Sequence, residues 1–250
     1  MSLETIQNTE PQALWAGMDG VLLRFGLTPE PEAMAAAQRL AADTENHTPD
    51  GVIEIAPGLV SVLLRFDPAK TTRTALAKEL LARAQHIWQH AQDRPEPARR
   101  WTIPVAFGAE YGPQLEEVAQ IVGCRPEEAI RRICKADLRV LVIGFAPGQP
   151  YIGLLPEEWN LPRQSSLTPG VPAGAIVTAV RQIVMFGAES TTGWRQVGRT
   201  AFRSFRPGQD TPMPLRAGDA IRYVQASGPE IEALERTGDL SGGAKLQVLR

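Results

Sequence analysis

The sequence predicts an α+β chain in two parts: a small α/β domain over residues 1–95 and a β-rich domain over residues 101–226, followed by a C-terminal tail at 227–250. Three observations carry that prediction. Strand and helix patterns alternate through the first ninety residues. From about residue 138 to 225, short β-branched runs are separated by Gly and Pro every few positions. Between the two textures lies the charged, proline-bearing stretch DRPEPARR (93–100), the candidate linker.

The elements follow in order. ALWAGMDGVLLRFG (13–26) reads as a strand pair or a bent strand, with Asp19-Gly20 as the turn. EPEAMAAAQRLAADTEN (30–46) has apolar residues at helical spacing. GVIEIAPGLVSVLLRFDP (51–68) gives two strands broken at Pro57-Gly58, and TTRTALAKELLARAQHIWQHAQ (71–92) a long helix with Thr71 or Thr72 as N-cap. Two helices on one face of an antiparallel sheet account for this domain. WTIPVAF (101–107) is a strand; GPQLEEVAQIVG (112–123) and RPEEAIRRIC (125–134) are short helices. LRVLVI (138–143), AIVTAV (175–180) and LRAGDAIRYV (215–224) supply strands of a closed or sandwich-like β structure.

Composition excludes several classes of function. Apolar residues make up 43% of the 250, enough for a packed core, and the net charge of −2 argues against nucleic acid or anionic lipid as the main partner. Cys124 and Cys134 form neither a disulfide framework nor a zinc cluster and read as buried thiols. MSLETIQNTEPQ has no apolar core or basic leader, and no stretch reaches the length of a membrane span, so a cytoplasmic protein is expected.

Motifs for common chemistries are absent: there is no Walker loop, G-x-G-x-x-G, G-x-S-x-G or H-E-x-x-H. His86 and His90 are four apart on the long helix but lack a third ligand, so they read as a solvated face and no metal site is expected. With His47 they are the only histidines, all in the first half, which removes histidine acid–base chemistry from the second. The paired acids Glu116-Glu117, Glu127-Glu128 and Glu157-Glu158 point about 100° apart on helices and read as solvated or dipole-stabilising. Near turns of the second half stand Arg163, Pro172, Gly174, Gln182, Trp194 and Gly198-Arg199-Thr200. Arg199 either braces loop carbonyls or holds a carboxylate or phosphate in a bidentate grip.

GFAPGQPYIGLLP (144–156) is too apolar and too rigid for an ordinary surface connector. Together with IPVAF, GPQLEEVA, LPR, VPAG, GW, GRT and LRAGDAIRY, all in one order over residues 101–225, it resembles the allophanate hydrolase subunit 1 family. That family includes the B-type subunit of bacterial ATP-dependent 5-oxoprolinase and an inhibitor of a sporulation histidine kinase. The resemblance implies a cyclophilin-like β-barrel after the small domain. It also implies an allophanate hydrolase subunit 2 partner, in some assemblies with a third 5-oxoprolinase subunit. ATP is implied as co-substrate of that complex, which opens a lactam.

By the same resemblance Arg163, Gln182 and Arg199 are candidate catalytic residues, holding a substrate carboxylate or a phosphorylated intermediate. Phe145, Pro147, Gly148, Tyr151, Pro172 and Trp194 are candidate substrate-binding residues, with the greasy loop lining a cleft at the barrel mouth. Taken alone, Phe145 reads as core and Tyr151 as cleft. AKLQVLR (244–250) resembles the opening strand of the partner subunit.

The departures from the family pattern fall on polar positions. Gln149 stands for the second aromatic of GFxPGF, Ile133 for a helix histidine and Gln114 for an acid. Leu167-Thr168 replaces Pro-Arg, and Gly170 stands at a basic position. VRQIV (180–184) replaces a Gly-Gly-Gln-Thr-Gly run, with Ile183 for its Thr, and STTGW (190–194) replaces Ser-Pro-Gly-Gly-Trp. Three functions stay open. One is a subunit of a 5-oxoprolinase-type amidohydrolase acting on a small lactam or amide. Another is the carboxyltransferase subunit of a biotin-dependent, urea carboxylase-like enzyme. The third is a non-catalytic binder that regulates a histidine kinase.

Overall fold

The computed structural model describes residues 10–90 and 95–249, in two compact units divided between Glu96 and Pro97. The expected leader-free start at residues 1–9 and the Asp93-Arg94 portion of the expected linker lie outside the described residues.

The first unit is a four-stranded antiparallel sheet, β1 (Gln12–Ala16), β2 (Gly20–Arg24), β3 (Val52–Pro57) and β4 (Ser61–Phe66), in the order β1-β2-β4-β3. Helices α1 (Pro31–Asn46) and α2 (Arg73–His90) cover one face. Period-two alternation explains the pairing: Val21, Leu23, Phe25, Val62, Leu64 and Phe66 bury against Ala36, Leu40, Leu76 and Leu80 of the helices. The first hairpin turns at Asp19, whose carboxylate accepts Nη2 of Arg65 at 2.6 Å and is held below the usual range by that guanidinium. Of the two cap candidates it is Thr72 that caps α2, its Oγ1 accepting Ala75 N–H at 3.3 Å. His86 and His90 stack at 4.4 Å between ring centroids; among the described residues no group of three or more metal-binding side chains forms.

The second unit is a closed seven-stranded barrel. Its strands run β12 (Arg195–Arg199), β9 (Ala175–Ala179), β10 (Gln182–Met185), β7 (Pro150–Gly153), β6 (Leu138–Ile143), β13 (Ala220–Gln225) and β5 (Arg99–Phe107), and β12 pairs back onto β5 to close the ring. This is the cyclophilin-like architecture expected from the resemblance. A separate two-stranded antiparallel sheet, β8 (Thr168–Val171) with β11 (Ser190–Thr192), is not part of the ring sheet. Helices α3 (Leu115–Ile121) and α4 (Pro126–Lys135) close the barrel with Leu115, Val118, Ala129 and Ile133. The interior is packed with Ile103, Val105, Val140, Ile152, Ile176, Ile183, Met185, Val197 and Tyr223. No described helix is long and apolar enough to cross a membrane.

The polar segment after residue 226 carries two elements. Helix α5 (Gly228–Arg236) begins with a capping box between Ser227 and Glu230, and β14 (Lys245–Val248) adds antiparallel to β5. The β9–β10 hairpin turns through Val180 and Arg181 at φ 46° and 64°, the left-handed values a two-residue hairpin requires. A β-branched residue is strained there. Val180→Asn is therefore expected to raise stability by about 1 kcal/mol, read as a higher denaturation midpoint.

Candidate functional site

Several of the sequence-predicted site residues meet on the outer wall of the barrel. Along β10 the side chains alternate, with Ile183 and Met185 inside and Val184 and Phe186 outside. Tyr151 pairs with Val184 and joins the outer cluster of Val171, Ala175, Val177, Ala179, Val184, Phe186 and Trp194. Gln182, two residues before Val184 and opposite Ala179, shares that face and is buried. Tyr151 and Trp194 meet edge to face at 6.0 Å, and the Arg163 guanidinium lies 5.5 Å from the Trp194 ring centroid. The Arg163 segment is held on both sides. Gln164 N–H donates to Gly193 O at 2.7 Å, and Arg195 Nη1 donates to Pro162 O at 2.7 Å while its Nε donates to Glu117 at 2.7 Å.

The structure thus brings Arg163, Gln182, Tyr151 and Trp194 to one wall. The wall is outside the barrel, whereas the expectation had these groups at a cleft in its mouth; the interior is filled by aliphatic and aromatic core side chains. The loop between β6 and β7 runs alongside. Gly148, at φ 67°, approaches the chain so closely that a Cβ would lie 2.4 Å from Ser204 O. A Cβ on Gly187, the residue after Phe186, would lie 3.3 Å from Pro147 O. Phe145 reverses its core reading: with φ 69° its ring turns out and is 87% exposed. Gln149, in place of the family aromatic, is 2% exposed with its Oε1 lacking a donor among the described residues.

Pro172 opens the VPAG turn, where Gly174 N–H donates to Phe186 O at 2.8 Å and its carbonyl accepts Thr200 N–H at 2.9 Å. Arg199 is engaged elsewhere. Its Nη2 donates to Glu235 of α5 at 2.5 Å, and its guanidinium lies 5.5 Å from the Tyr111 ring centroid. Neither role left open for Arg199 is what the structure displays: the guanidinium makes an ion pair with Glu235 of the same chain through Nη2. Glu235, Arg203 and Tyr111 escaped sequence reasoning; the Ser227–Glu230 spacing was the available sign that a helix would bring Glu235 back.

The substituted family positions are mostly structural here. Ile133 and Ile183 are fully buried in the barrel core. Gln114 hydrogen-bonds both the N–H and the C=O of Gln196 on β12. Four of the six acids of the paired sets form ion pairs: Glu117 with Arg195, Glu128 with Arg131 and Arg132, Glu157 with Arg181, and Glu158 with Arg132 at 3.5 Å. Cys124 and Cys134 are free and half-buried, and burial pushes the Cys134 thiol up.

Tyr111 donates its hydroxyl to Glu232 at 2.6 Å, and that bond, with burial, pushes its pKa up to about 12. A raised folded value means the contribution is complete below the ordinary value of 10 and is lost as pH rises toward 12. Tyr111→Phe should remove one step near pH 12 from the tyrosinate absorbance titration and flatten the alkaline loss of stability.

Chemically, the wall offers a cation over an aromatic face, an amide and two rings. Groups of these kinds can recognise and orient a small polar molecule; none of them is a histidine or a carboxylate.

Residues 11–215 match the family model described as the carboxyltransferase domain, subdomains C and D. The B-type subunit of 5-oxoprolinase from Bacillus subtilis (strain 168) is 30% identical over 227 residues, covering 87% of this chain and 93% of that protein. The crystal structure of TTHA0988 superposes with a TM-score of 0.68 at 30% identity, over 84% of this chain and 40% of that one. The Kluyveromyces lactis urea amidolyase shares the fold, with a TM-score of 0.72 at 21% identity over 98% of this chain and 17% of that one. The chain thus spans less than half of either solved protein.

Proposed function

The chain belongs to the carboxyltransferase-domain family of subdomains C and D, and from that membership we propose that it is a subunit of a 5-oxoprolinase-type amidohydrolase acting on a small lactam or amide. The observation that carries this reading is the relative named as a 5-oxoprolinase subunit, matched over 93% of its length. The outer wall fits it. Arg163 offers a charge for a substrate carboxylate, Gln182 a donor and acceptor for an amide, and Tyr151 and Trp194 the apolar sides. Since Arg163, Gln182, Tyr151 and Trp194 include no histidine or carboxylate, a partner of the allophanate hydrolase subunit 2 type, with or without a third subunit, completes the site and supplies the proton transfers.

ATP belongs to the partners in this reading. The helix starts of this unit fit a triphosphate poorly: the first turns of α3, α4 and α5 carry Glu116 and Glu117, Glu127 and Glu128, and Glu230. The family description favours a second reading, carboxyl transfer in a biotin-dependent enzyme on the same wall.

The test is co-expression with the subunit 2 homologue and measurement of ATP-dependent glutamate release from 5-oxoproline. Turnover is expected, and Arg163→Ala, exposed and outside the core, should lower kcat/KM by about tenfold or more through KM. A stable silent complex would overturn the amidohydrolase reading in favour of carboxyl transfer. Failure to form any complex would overturn both and leave the regulatory binder.

A further inference from the structure

Arg199 and Arg203 grip one carboxylate from two sides. Glu235 Oε2 accepts Arg199 Nη2 at 2.5 Å, and Oε1 accepts Arg203 Nη2 at 3.2 Å. Each oxygen thus has its own guanidinium, the arrangement in which arginines hold a free carboxylate ligand. Arg199 is backed by the Tyr111 ring, and its Nε is buried without an acceptor among the described residues. The clamp therefore keeps a donor that Glu235 does not use. Nearby, Arg206 Nη2 is also buried without an acceptor, and burial lowers the pKa of that guanidinium. Both arginines follow from strand β12 and the turn after it, so the barrel fixes them; only the carboxylate comes from outside.

What brings that carboxylate is lightly attached. Helix α5 has Ile231 as its fully buried side chain, in a small cluster with Ala106, Tyr111 and Ala201. Leu234, partly buried, packs against the same cluster, and the remaining ties are polar: Glu232 to Tyr111 at 2.6 Å, and Glu235 to the two arginines. A short helix held by one fully buried side chain, one partly buried leucine and exchangeable ion pairs opens locally at less cost than the barrel strands.

We propose that Arg199 and Arg203 form a carboxylate-binding site that α5 fills with Glu235, and that a small carboxylate ligand and Glu235 compete for it. The tethered Glu235 acts at an effective concentration in the millimolar range, so a free carboxylate displaces it only when abundant or when it makes further contacts. The site is separate from the Tyr151–Trp194 wall and does not depend on the amidohydrolase reading.

The experiment uses the isolated full chain, with acetate as probe and no partner or ATP. Amide exchange of residues 230–236 is compared in roughly 100 mM sodium acetate and in sodium chloride of equal ionic strength, which screens the ion pairs equally. Acetate is expected to speed exchange several-fold over chloride. In parallel, Glu235→Ala should bind acetate about tenfold more tightly than the native chain in an NMR titration of the arginine Nε–H signals, because its competent state is no longer masked. Adding Arg199→Ala should remove that binding. Equal exchange in the two salts, or a folded Glu235→Ala with no gain in affinity, overturns the proposal and makes the ion pairs a brace. Should Glu235→Ala fail to fold, the exchange comparison on the native chain decides alone. A negative result here leaves the turnover test of the complex untouched, and the converse holds.

Discussion

Gly174→Ala is expected to leave no folded barrel, although the change adds one methyl group. At φ 82° the residue sits in the left-handed region, and a Cβ would lie 2.2 Å from Thr200 O and 2.8 Å from Arg203 Nη1. The left-handed backbone alone costs an alanine about 1–2 kcal/mol. The overlap with Thr200 O cannot be relieved by a side-chain rotation, because the contact is with main chain. Nor can the turn back away cheaply. Gly174 N–H is bonded to Phe186 O, its carbonyl to Thr200 N–H, and Phe186 and Ala175 both belong to the outer cluster. The combined cost exceeds about 4 kcal/mol, a large part of the stability of an ordinary domain. Gly170→Ala is the matched control. Its φ is 62°, yet nothing lies within 4 Å of the added Cβ, so it should lose only the backbone term. Thermal denaturation of the two variants side by side checks the argument; equal losses would show that close approach at Gly174 is not what matters.

That glycine also shows which parts of the molecule the sequence could reveal. The first unit was legible because each strand has one wet face. Val21, Leu23 and Phe25 alternate with more exposed neighbours, and the alternation survives in the sequence. In the barrel the signal fades: β9 is buried at all five positions, so no period separates inner from outer wall. Ring closure was equally hidden, since β5 meets β12 and β13 only across long stretches of chain.

The candidate site was legible as residue types but not as a place. Tyr151, Gln182, Trp194 and Arg163 stood out for their surroundings, yet only the register of β7 against β10 puts Tyr151 outside rather than at the mouth. Phe145 misled because an apolar run normally buries its aromatic, whereas here a left-handed backbone turns the ring to solvent. For Arg199 the choice between brace and anion grip depended on Glu235, 36 residues away in a segment that looked like a polar tail.

Asp219 is the remaining position where a large effect is expected, and it separates a structural acid from a catalytic one. It lies in LRAGDAIRY, and a lone acid in such a motif invites a catalytic role. The structure gives its carboxylate four donors: Arg99 Nε at 2.8 Å, Arg99 Nη2 at 2.5 Å, Trp101 Nε1 at 3.2 Å and Arg216 N–H at 2.9 Å. Its carbonyl accepts Val140 N–H at 2.9 Å. One buried residue therefore ties β5, β6 and the turn into β13, three strands that pair side by side but are far apart in the chain. Asp219→Ala would strand the mostly buried Arg99 guanidinium and the Trp101 indole, at about 3–5 kcal/mol. Asp219→Asn keeps one acceptor but turns an amide donor toward those donors, so it should cost less than alanine and still be clearly destabilising. The measurement is the urea midpoint together with amide exchange in β5 and β13, set against turnover per folded complex. Lost protection with retained specific turnover fits a carboxylate that closes the barrel. Unchanged stability with lost turnover would make Asp219 a participant in the reaction. The four donors argue against that outcome, since three converge on Oδ2 and the Arg99 fork holds both oxygens, committing the buried carboxylate to the barrel.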